Sequence, residues 1–246
     1  MYNEVPSYFL AAHSYCCEVE DGAVILDLLN GTYIGIDADY LPDLRERIPN
    51  WPETSAANPA SACISKRTDG NLIADLLSRG VLVTQPLPRR PPFSPTALVE
   101  LRSDAGLRNQ PRVPFRDLTA FLFAWFDARR RIGDKKLAAL LEHLDRGRRL
   151  IRHGNAAITV DEVAKLMSSF LRTRLWLYTA AKHCLFDSAV LASFLTRHEV
   201  ACTLVIGVST KPFAAHAWIE FGPYVLNDTA EHIQLFKPIL QIGHHP

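Results

Sequence analysis

Residues 183–233 read HCLFDSAVLASFLTRHEVACTLVIGVSTKPFAAHAWIEFGPYVLNDTAEHI. Leu185, Ala189, Leu191, Ala192 and Leu195 recur at the spacing of a buried helix face, so the segment opens as a helix with Cys184 at its start. Unpaired N–H groups at a helix N-terminus carry partial positive charge, which favours a thiolate over a thiol. Residues 201–208 form an apolar, β-branched run. A Lys211-Pro212 turn joins it to a second extended run, 214–221, that carries His216. After the Gly222-Pro223 turn, a short strand at 224–226 delivers Asp228. An imidazole on the middle strand can then lie between a thiol and a carboxylate, the arrangement that activates a cysteine nucleophile. Trp218, two residues from His216, shares its strand face and is a candidate wall of the site. His183 adjoins the cysteine, but neighbours on a helix point about 100° apart, so its role is secondary. Asp187 lies on the same side of the helix as Cys184 and is expected to be a solvated or capping carboxylate.

The order helix Cys, strand His, strand-end Asp, with the strings TLVIGV, PF, AHAW and VLND between and around them, resembles the transglutaminase-like cysteine-protease superfamily. More narrowly, it is similar to the B proteins of lasso-peptide biosynthesis, which are leader peptidases. The resemblance implies that Cys184 is the nucleophile, His216 the base and Asp228 the residue that orients it. It also implies two partners: the leader of a lasso-peptide precursor, and an asparagine-synthetase-like cyclase that closes the macrolactam ring. No Walker-type GxxxxGK[ST] string is present, so no cofactor is expected and any nucleotide requirement would reside in the cyclase. Two rival functions share the same residues: acyl transfer to an amine, as in a true transglutaminase, and a non-catalytic scaffold that presents the precursor.

Composition narrows the setting. The 246 residues, 48% hydrophobic and 22% charged, suit a globular protein able to bury a core. A net charge of +1 gives no electrostatic reason to expect nucleic acid. Five cysteines in no regular framework point to a reducing compartment. There is no signal-peptide pattern and no long apolar run, so a cytoplasmic protein without membrane insertion is expected.

Upstream, Asp21-Gly22 and Asn30-Gly31 are spaced as hairpin turns, each read as a type I′ pair, between SYCCEVE, AVILDLL and TYIGID. The reading is a three-stranded meander, which needs helices over one face. Helices are expected at 40–48 and at 71–79, with a brief extended tail at 81–83. The intervening 49–70, rich in Pro, Ala and Ser, is long for a connection. This region resembles the winged-helix-like leader-recognition element of pathways for ribosomally made, modified peptides. That resemblance implies that the leader adds a strand to Thr32, Tyr33, Ile34, Gly35 and Ile36 and rests on Ile73, Leu76 and Leu77.

QPLPRRPPFSP, at 85–95, holds too much proline for a helix or a central strand and reads as a linker. The expected organisation is therefore a recognition domain at 1–84, the linker at 85–95 and a protease domain at 96–246. The fold class is α+β, the protease half being transglutaminase-like or papain-like with helices on an antiparallel sheet. Its helices are expected at 117–130, with Leu118, Phe121, Leu122, Trp125 and Phe126 on one face; at 135–150, with Leu137, Leu140, Leu141 and Leu144; and from a Thr159/Glu162 capping box through Trp176. The remaining candidates take plain readings. Cys202 belongs to an apolar strand, Cys16 and Cys17 point to opposite strand faces, and Cys63 is a loop bystander. His244 and His245 are solvated ends, so no metal site is expected. Arg129, Arg130, Arg131, Arg146, Arg148, Arg149 and Arg152 form the wet faces of helices.

Overall fold

The structure is a computed structural model. It describes residues 7–52, 70–88, 98–101, 113–133, 137–149, 151, 158–178 and 183–243. Cys63, Arg152, His244 and His245, most of the 49–70 stretch and residues 89–95 of the linker lie outside the described residues, as do the side chains of Arg148 and Arg149. Two compact units emerge, one of Met1–Ser94 with Val208–Ala214 and the other of Pro95–Gly207 with Ala215–Pro246. No helix among the described residues is long and apolar enough to cross a membrane.

In the first unit, β1 (Phe9–Leu10) pairs antiparallel with β5 (Leu82–Val83), while β2 (Ser14–Val19), β3 (Gly22–Asp27) and β4 (Thr32–Asp37) form the meander in the order β2-β3-β4. The β3–β4 register runs from Gly22↔Asp37 to Asp27↔Thr32. The turns differ from the type I′ pairs expected. Positive φ occurs at Gly22 (+146°) and Gly31 (+64°) but at neither preceding residue. Gly22 is confined by its neighbours: a Cβ there would lie 1.9 Å from the Ile36 carbonyl oxygen. β3 also ends at Asp27 rather than continuing through Leu29. The Asp27 carboxylate accepts the Leu29 and Asn30 N–H groups at 2.9 and 3.3 Å, turning the chain before the apolar run is exhausted.

A single 3₁₀ turn (Ala38–Tyr40) leads into α1 (Leu41–Arg47), and α2 (Gly70–Ser78) follows later. Ile25, Leu44, Ile48, Trp51, Ile73, Leu76 and Val81 pack with the inner sheet face into one core. The buried Glu18 carboxylate accepts from Arg45 Nε at 2.7 Å and Trp51 Nε1 at 2.9 Å, so its charge is paired as burial requires.

The second unit is built on a five-stranded sheet of order β10-β7-β8-β9-β6, comprising β6 (Val99–Glu100), β7 (Thr203–Thr210), β8 (Phe213–Phe221), β9 (Tyr224–Val225) and β10 (Lys237–Ile242). β9 runs antiparallel to β8, and β6 is parallel to β9. The sheet is accompanied by α3 (Phe115–Gly133), α4 (Leu137–Arg149), α5 (Val160–Arg174), α6 (Cys184–Arg197) and the single turn α7 (Ala230–Ile233). α6 is buried at every position from Asp187 to Leu195, as suits a helix inside a bundle. Phe121 of α3, Phe170 of α5 and Phe194 of α6 join in sequence, with ring centroids 5.3 and 5.6 Å apart. Thr159 caps α5 with a reciprocal Glu162 capping box, as its sequence signature indicates.

Three expectations are corrected in this unit. The α3 core face is Asp117, Phe121, Ala124 and Ala128, whereas Leu122, Phe123 and Phe126 are exposed. The two alanines let α3 approach α6 closely and so set the helix phase, which keeps Phe121 inside and leaves Phe123 and Phe126 of FLFAWF outside. α5 stops at Arg174, and Trp176 is 85% exposed. Cys202 is buried but precedes β7 instead of lying within it. Arg129, Arg130 and Arg146 are exposed, and Arg131 pairs with Asp127 at 3.0 Å, as wet helix faces should.

Candidate active site

Cys184 is the first residue of α6 and is half-buried; the exposed His183 takes the N-cap position but makes no side-chain capping bond. The thiol is held below its ordinary pKa, first by a hydrogen bond with His216 and then by the N–H groups of Ala217 and Leu185, which together outweigh burial. His216 Nε2 also makes a short hydrogen bond to Asp228 Oδ2. Burial works to depress the imidazole, but its bonds to Asp228 and Cys184 prevail and raise it to about 9. Asp228 is the counterpart. Burial works to raise its carboxyl, while bonds from His216, His232 and the Thr229 N–H bring it down to about 2. These shifts agree in favouring a thiolate beside an imidazolium over a thiol beside an imidazole.

The sheet and α6 hold this arrangement through a buried polar group that sequence reasoning did not find. Ser188, one turn after the cysteine, donates to the Ala217 carbonyl at 2.9 Å, joining the cysteine's helix to the histidine's strand. Asn227, next to Asp228, accepts the Ile219 N–H at 2.9 Å and donates to Ser188 Oγ at 2.9 Å and to Asp187 at 3.3 Å. Each contact is one residue or one helical turn from a residue of the Cys184–His216–Asp228 line. Asp187 is thus not the solvated or capping carboxylate expected. It is 1% exposed, accepts from Arg174 Nη1 at 3.1 Å and from the Tyr178 hydroxyl at 3.1 Å. Burial and the Asp187 charge push the Tyr178 hydroxyl well up, so it remains a donor. The partner, Arg174, lies in another helix, which is why no local spacing announced the pair.

Aromatic groups surround His216. Trp218 lies nearly parallel to it with centroids 6.0 Å apart, Phe236 is at 5.0 Å and His232 at 4.9 Å. Trp218 is buried and donates to Glu220 at 2.7 Å. Gly207 on β7 makes room for this wall: a Cβ there would come within 2.8 Å of the Trp218 ring and 2.9 Å of Phe236. His232 Nδ1 hydrogen-bonds both oxygens of Asp228, at 3.0 and 2.8 Å. The signal for it was present in DTAEH, since Thr229 caps a helical turn that puts residue 232 over residue 228. His216, Asp228 and His232 offer donor atoms within 4.8 Å of one another and are the group among the described residues that could hold a metal ion. Hydrogen bonds alone account for their convergence.

In the first unit, β4 has β3 on one side and is the last strand of its sheet. Thr32 and Gly35 are exposed and Tyr33, Ile34 and Leu77 half-buried, with Tyr33 edge-on to Phe213 of the same unit at 5.6 Å. Ile36, Ile73 and Leu76 belong to the core, 5%, 8% and 0% exposed, so their side chains are occupied by the fold itself.

No solved structure matches the chain. Over 45 residues it is 44% identical to the microcin J25-processing protein McjB of Escherichia coli, covering 18% of this chain and 22% of that relative. The chain's match thus spans about a fifth of the length of that curated relative. The segment that carries Cys184, His216 and Asp228 is itself covered by a family match: residues 124–241 match the model of the transglutaminase-like superfamily.

Proposed function

We propose that this protein is a cysteine peptidase that removes the leader from a lasso-peptide precursor, with Cys184 as nucleophile, His216 as proton carrier and Asp228 as its orienting carboxylate. One observation carries the reading: a single imidazole bonds the thiol at the start of α6 and the carboxylate after β9, and the acidities of all three groups shift toward an ion pair. The similarity to a relative named for processing microcin J25 supports the substrate class. The thiolate attacks the carbonyl at the end of the leader, forming a C–S bond, and the oxyanion faces the N–H of Cys184 at the helix start. As the C–N bond breaks, the His216 imidazolium gives its proton to the departing amine of the core peptide. The neutral imidazole then takes a proton from water, whose oxygen attacks the thioester; the C–S bond breaks and the acid of the leader leaves. The steps use no cofactor, and the freed amine is the group that a partner cyclase would consume.

Leader recognition falls in this reading to the first unit, a winged-helix-like element whose β4 edge accepts the leader as an added strand. Backbone pairing supplies affinity there, and accessible side chains such as Tyr33 and Ile34 supply selectivity. The test separates the two roles. Incubated with the precursor peptide, wild-type protein should yield two fragments whose masses sum to that of the precursor plus water. Cys184→Ala should yield none while retaining leader affinity within about twofold. Undiminished cleavage by Cys184→Ala would refute the assignment, and a product carrying an added amine in place of water would favour transglutaminase-type transfer.

A further inference from the structure

Asp228 follows β9 in a bend, outside the sheet ladder, so its side chain depends on hydrogen bonds for its orientation. Three donors meet it: His216 Nε2 on Oδ2, the Thr229 N–H on Oδ1 at 2.7 Å, and His232 Nδ1 on both oxygens. The Thr229 N–H and His216 Nε2 each hold one oxygen, whereas the His232 bond reaches both and so adds a further restraint on rotation of the carboxylate about its terminal torsion. The ring is held in turn. Its backbone N–H donates to the Thr229 hydroxyl at 3.2 Å, and its edge packs on Phe236 at 5.3 Å and on His216. Although His232 is 45% exposed, it is thus ordered from both its backbone and its face.

We infer that His232 is a positioning residue for the Cys184–His216–Asp228 site, acting through Asp228 by holding the carboxylate plane toward His216 Nε2. The inference rests on the peptidase reading and adds a fourth residue to it. The part played by His232 is the hydrogen bond from Nδ1 to Asp228, and it transfers no proton in the reaction. Removing the donor leaves the carboxylate held by the Thr229 N–H and His216 alone, which loosens its orientation, weakens its hold on the imidazolium and lowers the thiolate population of Cys184.

Alkylation of Cys184 by iodoacetamide at pH 7, followed by mass spectrometry of the Cys184 peptide, reads that population without a substrate. Two variants separate donor from packing. His232→Leu keeps an apolar side chain against Phe236 but has no donor, while His232→Gln keeps a donor that reaches the carboxylate four residues back. His232→Leu should react about three- to tenfold more slowly than wild type, the worth of one hydrogen bond, and His232→Gln within about twofold of it. A His232→Leu rate equal to wild type overturns the inference, and so do two variants equally slow, since packing would then be the cause. Rapid wild-type alkylation with either of those outcomes refutes the role of His232 alone, whereas an unreactive wild-type thiol refutes the peptidase reading beneath it.

Discussion

Replacing Asp228 by asparagine tests the electrostatics of the site at nearly constant shape. The amide fills the same volume and still accepts the Thr229 N–H, but it removes the anion beside His216. That imidazole sits at about 9 against an ordinary 6.5, even though burial works in the opposite direction. At about 1.36 kcal/mol per pH unit, the difference is ~3.4 kcal/mol in favour of the charged ring. Asp228 and Cys184 share it; an equal division assigns about 1.7 kcal/mol to the carboxylate, and the whole would correspond to about 300-fold in the equilibrium. Asp228→Asn should therefore reduce the ratio of thiolate–imidazolium to thiol–imidazole by about 20- to 300-fold. The assay is the rate of Cys184 alkylation by iodoacetamide from pH 5 to 10, followed on the Cys184 peptide so that the other cysteines do not contribute. In wild type, reactivity should begin below the ordinary thiol range. In Asp228→Asn the rate at pH 6 should fall by one to two orders of magnitude and the midpoint should move to higher pH. Identical profiles for the two proteins would refute the coupling of the carboxylate to the thiol through His216.

Other perturbations address what holds the site together. Asp187→Ala leaves the mostly buried Arg174 guanidinium without its carboxylate and should cost about 3–5 kcal/mol, read as a lower urea midpoint; a loss under about 1 kcal/mol would mean that water replaces the carboxylate. Gly207→Ala pushes a methyl group into Trp218 and Phe236 and should cost about 1–3 kcal/mol, with a shift in tryptophan emission; wild-type stability and emission would show that the wall adjusts freely. Acid should act through Asp228. Its carboxyl lies at about 2 folded against 3.8 unfolded, so its contribution is complete above pH 3.8 and is lost as pH falls through 2. The difference in unfolding free energy between wild type and Asp228→Asn should therefore shrink between pH 5 and pH 2, by about 2 kcal/mol in all; a difference independent of pH would contradict the depressed carboxyl.

What the sequence determined by itself were the features encoded locally. The meander from Ser14 to Asp37, the helix opening at Cys184, the Thr159–Glu162 box and the strands bearing His216 follow from periodicity, turn residues and caps, whose partners lie within a few residues. The spacing of Cys184, His216 and Asp228 was legible because the hairpin and the short strand after it leave the imidazole few places to go. Tertiary structure decided the rest. Asp187 looked solvated from its own helix and is buried because Arg174 and Tyr178 reach it from elsewhere in the chain. The aromatics of α3 promised a core face, yet two alanines set the phase by allowing α6 close, and Phe126 was left in water. Asn227 and Ser188 signalled nothing in sequence, since a buried hydrogen bond depends on what the fold brings opposite each polar group, and that is fixed only when helix and sheet meet.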